Sequence, residues 1–198
     1  IFYYILIFSL PNFILKKFYI YLYKIIKNMG IKKLVCFDFD DTLCNTVKHD
    51  DGKIIWREKF GTEYPHRGWW SKEESLDMDI FPVTVNPYVY QEYLKAVSDP
   101  DNYVILATGR IEKLRPEVEA ILDNLNLAFD AVYLNTGGDT FTFKRRLFER
   151  LIRKIDAEEF IMYDDRYEHL EEFEKWAKTI DCRITIIDVK NRTTKIFK

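Results

Sequence analysis

Leu34-Val35-Cys36-Phe37-Asp38-Phe39-Asp40-Asp41-Thr42-Leu43 is the stretch on which the fold turns. Four apolar residues in a row, with no polar alternation, read as a strand buried on both faces, the habit of a parallel sheet. The run stops at Asp38, which puts polar chemistry at the carboxyl tip of the strand. The same pattern recurs downstream. Tyr103-Val104-Ile105-Leu106-Ala107 ends at Thr108, Ala131-Val132-Tyr133-Leu134 is a third apolar run, Phe160-Ile161-Met162-Tyr163 ends at Asp164-Asp165, and Arg183 to Val189 is a fifth. Apolar residues at helical spacing predict helices from Pro87 to Val97, Lys113 to Leu125, Phe143 to Ile155 and Tyr167 to Lys178. Strands alternating with helices imply an α/β fold: a doubly wound, five-stranded, Rossmann-like parallel sheet. Ligands bind such sheets beyond the carboxyl ends of the strands, so Asp38, Thr108 and Asp164 are expected to gather at one edge.

The remaining chain frames this core. Its 198 residues suit one domain with an extension, and 47% hydrophobic residues suffice for a packed interior. The formal net charge of -2 excludes a whole-protein cationic field, so any grip on nucleic acid must be local. Three cysteines, Cys36, Cys44 and Cys182, lack metal-binding spacing and fit free thiols in an intracellular, reducing compartment. Residues 1–28 are read as an appendage ahead of a domain spanning 29–198. Pro11-Asn12 and Lys16-Lys17 break their apolar run too early for a membrane span. Asp51-Gly52 between two extended halves, Val47 to Phe60, predicts a small hairpin flap. Residues 61–85 read as loop with one helical turn near Glu73–Met78. About 60 residues separate Leu43 from Asn102, leaving no room for a large cap.

Asp38 and Asp40 lie two apart, and in an extended segment their carboxylates share a side. Crowded carboxylates favour a shared proton or a bound cation. One can attack phosphorus to form an acyl phosphate, and the other can protonate the leaving oxygen and later deprotonate water. Asp38 is therefore assigned as nucleophile and Asp40 as general acid/base.

An apolar strand followed by D-x-D-x-T resembles the first motif of the haloacid dehalogenase superfamily of phosphohydrolases, and three further motifs follow in order. The resemblance implies that Thr108 holds a phosphate oxygen, that Gly109 lets the backbone approach the substrate closely, and that Arg110 clamps the phosphate with its two-pronged guanidinium. It assigns Thr42 to substrate binding and makes Lys144 the charge-balancing lysine, chosen over Arg145 and Arg146. It makes Asp164-Asp165 the acidic pair that binds Mg2+ together with Asp38 and the Asp40 carbonyl. Neighbouring strand residues point to opposite sides, so one of Asp164 and Asp165 is expected to bind directly.

Gly68-Trp69-Trp70-Ser71, Thr108-Gly109-Arg110 and Tyr163-Asp164-Asp165-Arg166, followed by His169, resemble the Swiss Army Knife RNA repair-like branch. That likeness implies a phosphatase acting on polynucleotide ends in RNA repair. A phosphoprotein or metabolite phosphatase is the alternative, and a non-catalytic interaction module the third reading. Trp69 and Trp70 offer rings for base stacking, set against flap packing. The basic run from Lys144 to Lys154 offers a phosphate-backbone track, set against a solvated face. His169 and Arg166 are placed near the site by their position after Asp165.

Overall fold

The computed structural model describes residues 31–198, so the expectation for residues 1–28 lies outside the described residues. Among the described residues, eight strands and five α-helices follow in chain order. The strands are β1 (Lys33–Phe37), β2 (Cys44–Asn45), β3 (Thr84–Val85), β4 (Asn102–Ile111), β5 (Ala131–Asn135), β6 (Glu159–Asp164), β7 (Arg183–Asp188) and β8 (Thr193–Phe197). The helices are α1 (His49–Phe60), α2 (Pro87–Ser98), α3 (Arg115–Asn124), α4 (Thr140–Ile155) and α5 (Tyr167–Ala177).

The central sheet has six strands in the order β5-β4-β1-β6-β7-β8. The five expected strands run parallel, and β8 adds an antiparallel edge that the exposed, polar Thr193-Thr194-Lys195 did not announce. Alternate strand residues feed two separate cores, as the pleat requires. Val35, Phe37, Val104 and Leu106 pack with Val89 and Tyr93 of α2 and Val118 and Ile121 of α3. Leu34, Cys36, Ile105 and Met162 pack on the other face with Leu147 and Phe148 of α4 and Phe173 and Trp176 of α5. The sheet is thus doubly wound. The chain leaves β1 towards β4 and leaves β6 towards β7, in opposite directions, so the topological switch lies between β1 and β6. Phe37 pairs with Tyr163 across that switch, which sets the tips Asp38 and Asp164 side by side.

The flap differs from its expectation in construction. Residues 49–60 form α1 rather than a hairpin around Asp51-Gly52. Asp50 and Asp51 occupy its first turn, Arg57 and Lys59 its last, and Gly61 closes it at φ 68°. Those are helix signals, favoured by the backbone dipole and by the left-handed cap. Gly52 sits inside the helix for a packing reason: a Cβ there would lie 2.0–2.7 Å from three ring carbons of Trp69. The antiparallel pair of the flap is made instead by β2 and β3, which are 40 residues apart in chain position. Trp69, Tyr64 and Phe81 form a small apolar cluster of their own beneath α1. Gly52→Ala is expected to destabilise the fold by about 1–3 kcal/mol through overpacking, against the usual gain of about 1 kcal/mol for this change in a helix. Urea unfolding monitored by Trp fluorescence checks the sign.

Candidate active site

The loop that leaves β1 is a tight turn. Leu43 N–H donates to the Asp38 carbonyl and Cys44 N–H to that of Phe39, with Asp41 at φ 54°. This turn brings Asp38 and Asp40 to the same cleft, although the segment between them is not extended. The cleft is a space of about 140 Å³ lined by Asp38, Asp40, Trp70, Gly109, Arg110, Thr140, Lys144 and Arg166.

Lys144 rises from the second turn of α4 and is 2% exposed. Its Nζ lies 2.9 Å from Asp38 Oδ1 and 2.7 Å from Asp164 Oδ2. Asp139 starts the helix one turn earlier than the apolar periodicity suggests, its side chain accepting from Thr142 N–H. Asp164 is fixed further by the backbone N–H of Arg166, which donates to Oδ1 at 3.0 Å. Asp165 accepts from the Thr42 hydroxyl at 3.3 Å. Asp38, Asp164 and Asp165 each present a carboxylate oxygen within 4.8 Å of one another. Both carboxyls of the acidic pair thus lie near Asp38, although neighbouring residues of one strand would point to opposite sides. β6 ends at Asp164, so Asp165 lies beyond the strand and turns back to the same side.

The charges are unequal: three carboxylates face one ammonium. Burial pushes the Asp38 carboxyl up to about 7, with Asp164 and Asp165 adding to the rise and Lys144 opposing it. Burial, Asp164 and Asp41 push Asp165 up to about 6. Burial disfavours the Lys144 ammonium, but Asp164 and Asp38 overcome this and hold its pKa above the ordinary lysine value. A hard cation with oxygen ligands fits this donor set, because it offsets the excess negative charge that burial makes costly. The cluster could hold a metal ion.

Arg110 takes a role that its sequence position did not announce. It is 1% exposed. Nε and Nη2 donate to Asp40 at 2.8–3.2 Å, and Nη1 donates to Ser75 Oγ at 2.7 Å and to the Trp70 carbonyl at 3.0 Å. The guanidinium therefore ties Asp40 to the flap. Thr46 adds a hydroxyl to Asp40 Oδ1 at 2.8 Å. Thr108 is fully buried, and its Oγ1 accepts from Arg110 N–H at 3.1 Å. Gly109 lines the cleft, with Thr140 so close that an added Cβ would meet it at 3.0 Å. Of the Trp pair, Trp69 is flap core and donates its indole N–H to Val47. Trp70 is 37% exposed, sits on the Arg110 guanidinium at 4.8 Å and borders the cleft. His169 is half-buried, its Nδ1 has no hydrogen-bond partner, and burial lowers its pKa. Thr46, Ser75 and Thr140 were missed in the sequence. Only Thr140, beside the capping Asp139, carried a local signal.

A doubly wound sheet with acidic residues from two adjacent strand tips and a buried lysine at the switch point has the architecture of the HAD-like fold. The chain belongs to HAD domain family 1 in Swiss Army Knife RNA repair proteins, whose model matches residues 59–197. The matched stretch includes Thr108, Lys144 and Asp164-Asp165 and begins after Asp38. Two solved structures share the fold. "Structure of the Pnkp1/Rnl/Hen1 RNA repair complex" aligns at a TM-score of 0.52 and 19% identity, covering 79% of this chain and 42% of that one. "Structure of Pnkp1/Rnl/Hen1 complex" aligns at 0.50 and 19%, covering 75% of this chain and 43% of that one. The chain thus spans less than half the length of those it resembles. A search of curated proteins found no match. Membership of this family supports a hydrolase of the phosphatase type. Among the described residues, no helix is long and apolar enough to cross a membrane.

Proposed function

We propose that this chain is a Mg2+-dependent phosphomonoester hydrolase that forms an aspartyl phosphate on Asp38 and acts on nucleic-acid ends, RNA first, in repair. One observation carries the reading. Asp38 lies at the switch point of the sheet, bonded to Lys144 and within 4.8 Å of two further aspartates. In this reading the Asp38 carboxylate attacks phosphorus. Lys144 holds it in place and offsets the charge that gathers on the transferred group. Asp40, oriented by Arg110 and Thr46, gives a proton to the leaving oxygen and afterwards takes one from water. Thr108 and Gly109 place a phosphate oxygen, and Thr42 keeps Asp165 turned towards Asp38. Asp38, Asp164 and Asp165 would hold Mg2+ with the Asp40 carbonyl, and the ion would neutralise phosphate charge.

RNA ends are favoured for two reasons. The family is one of RNA repair proteins and one structural neighbour is an RNA repair complex, and the flap is small, which leaves the cleft open to a bulky substrate. Three free, buried cysteines fit an intracellular setting.

A substrate panel with Mg2+ tests this function. It compares 3′-phosphorylated RNA, 3′-phosphorylated DNA, phosphopeptides, phosphorylated metabolites and a generic aryl phosphate. We expect kcat/KM for the RNA end to exceed that for any peptide or metabolite by about tenfold or more, equivalent to about 1.4 kcal/mol of transition-state binding. EDTA is expected to remove all turnover. Indifference to every nucleic-acid end would end the repair reading, while leaving a phosphatase.

A further inference from the structure

A second and larger concavity, about 510 Å³, lies on the opposite side of the first turns of α4. Its walls include Tyr133 of β5, Thr142, Phe143, Arg146 and Arg150 of α4, and Arg115 at the start of α3. The two spaces share one stretch of helix: Thr140 and Lys144 enter the catalytic cleft, while Thr142, Phe143 and Arg146 enter the groove.

The charges of the groove are unequal in a telling way. Arg115 is committed to Glu112 and Glu119. Asp139 is occupied in capping α4. Arg145, on the neighbouring face, pairs with Glu149. Arg146 and Arg150 have no ion pair among the described residues, and both are exposed. They stand four apart, one turn and about 6 Å along the helix axis, on one face. The groove thus offers two unneutralised guanidinium groups beside two aromatic rings. That is the chemistry of a single-strand site, in which basic groups follow the backbone and rings receive bases.

We propose that this groove binds the polynucleotide strand behind its phosphorylated end, with Arg146 and Arg150 on backbone phosphates and Tyr133 and Phe143 against bases. The proposal rests on the nucleic-acid-end reading of the cleft and adds where the rest of the strand lies. A phosphate in the cleft and a strand in the groove would meet across the first turn of α4.

The test measures binding of a fluorescent, 3′-phosphorylated oligoribonucleotide by anisotropy, as a function of salt, in full-length protein carrying Asp38→Asn so that nothing is hydrolysed. Adding Arg146→Gln and Arg150→Gln is expected to weaken binding about tenfold and to lower the slope of log K against log salt by about 1.4, the value for two contacts to a single strand. Arg153→Gln with Lys154→Gln removes the same charge from the same helix outside the groove and is expected to change binding little. With Asp38 left intact, turnover of an aryl phosphate by the Arg146→Gln/Arg150→Gln variant is expected to match that of the unaltered protein. Binding of the groove variant with unchanged affinity and slope overturns the proposal, as does an equal loss in the Arg153/Lys154 control. Loss of binding confined to the groove variant supports it even if the substrate panel finds no hydrolysis of RNA ends, so the two readings fail separately.

Discussion

Asp38→Asn is expected to abolish phosphatase turnover, by about 10⁴-fold or more, the scale seen when a covalent nucleophile is removed. The substitution keeps the shape of the side chain and an oxygen that can still accept from Lys144, so the loss is not one of folding. Stability moves the other way. The Asp38 carboxyl titrates near 7 in the fold against an ordinary value of 3.8. The folded state therefore binds more protons than the unfolded state between those values, and its stability falls as pH rises through that window. In EDTA, the wild-type protein should lose stability relative to Asp38→Asn between about pH 4 and pH 7. Thermal unfolding of both proteins across that range, with aryl phosphate turnover alongside, measures both effects. A variant that turned over substrate at the wild-type rate would remove Asp38 from the chemistry.

Lys144→Met is the second large effect. Lys144 is the only ammonium bonded to Asp38 and Asp164 among the described residues, at 2.9 and 2.7 Å. Removing it leaves the three carboxylates crowded in a buried space with no fixed counter-charge. Breaking a buried ion pair from one side costs about 3–5 kcal/mol, and losing a preorganised charge at the reacting phosphate costs about 10²–10³-fold in rate. Added Mg2+ should restore more thermal stability to this variant than to wild type, because the ion replaces part of the missing positive charge. Equal stability of wild type and Lys144→Met in EDTA would mean that the lysine does not balance the site.

The parallel strands were legible because their apolar runs are long and end abruptly at Asp38, Thr108 and Asp164-Asp165. Chemistry at the ends of buried apolar runs leaves that mark in any order of elements, although β4 runs on past Thr108 to Ile111 through a register shift. The helices on both faces were legible for the same reason of periodicity. The flap was not. Asp51-Gly52 carries a turn signal, but Gly52 is there to admit the Trp69 ring from 17 positions away, a reason that no local window contains. Strand β8 was hidden because an edge strand needs only one partner and can stay polar. In the site, Asp38, Lys144 and the acidic pair stood out by type and order. Arg110 was found, but its bonds to Asp40 and the flap were not. A guanidinium next to a phosphate-binding turn reads as a clamp, and the structure adds Asp40, Ser75 and the Trp70 carbonyl as its partners. Both carboxyls of the acidic pair reach Asp38 because β6 stops between them, and the position of a strand end is finer than periodicity resolves.

The most direct test of the covalent route is to trap it. Protein turning over an aryl phosphate in Mg2+ is quenched in acid, reduced with borohydride, which converts an acyl phosphate of aspartate to homoserine, and mapped by peptide mass spectrometry. The account predicts homoserine at position 38 alone, dependent on substrate and on metal. Steady turnover with Asp38 unreduced, or with homoserine at Asp40, Asp164 or Asp165 instead, would contradict it.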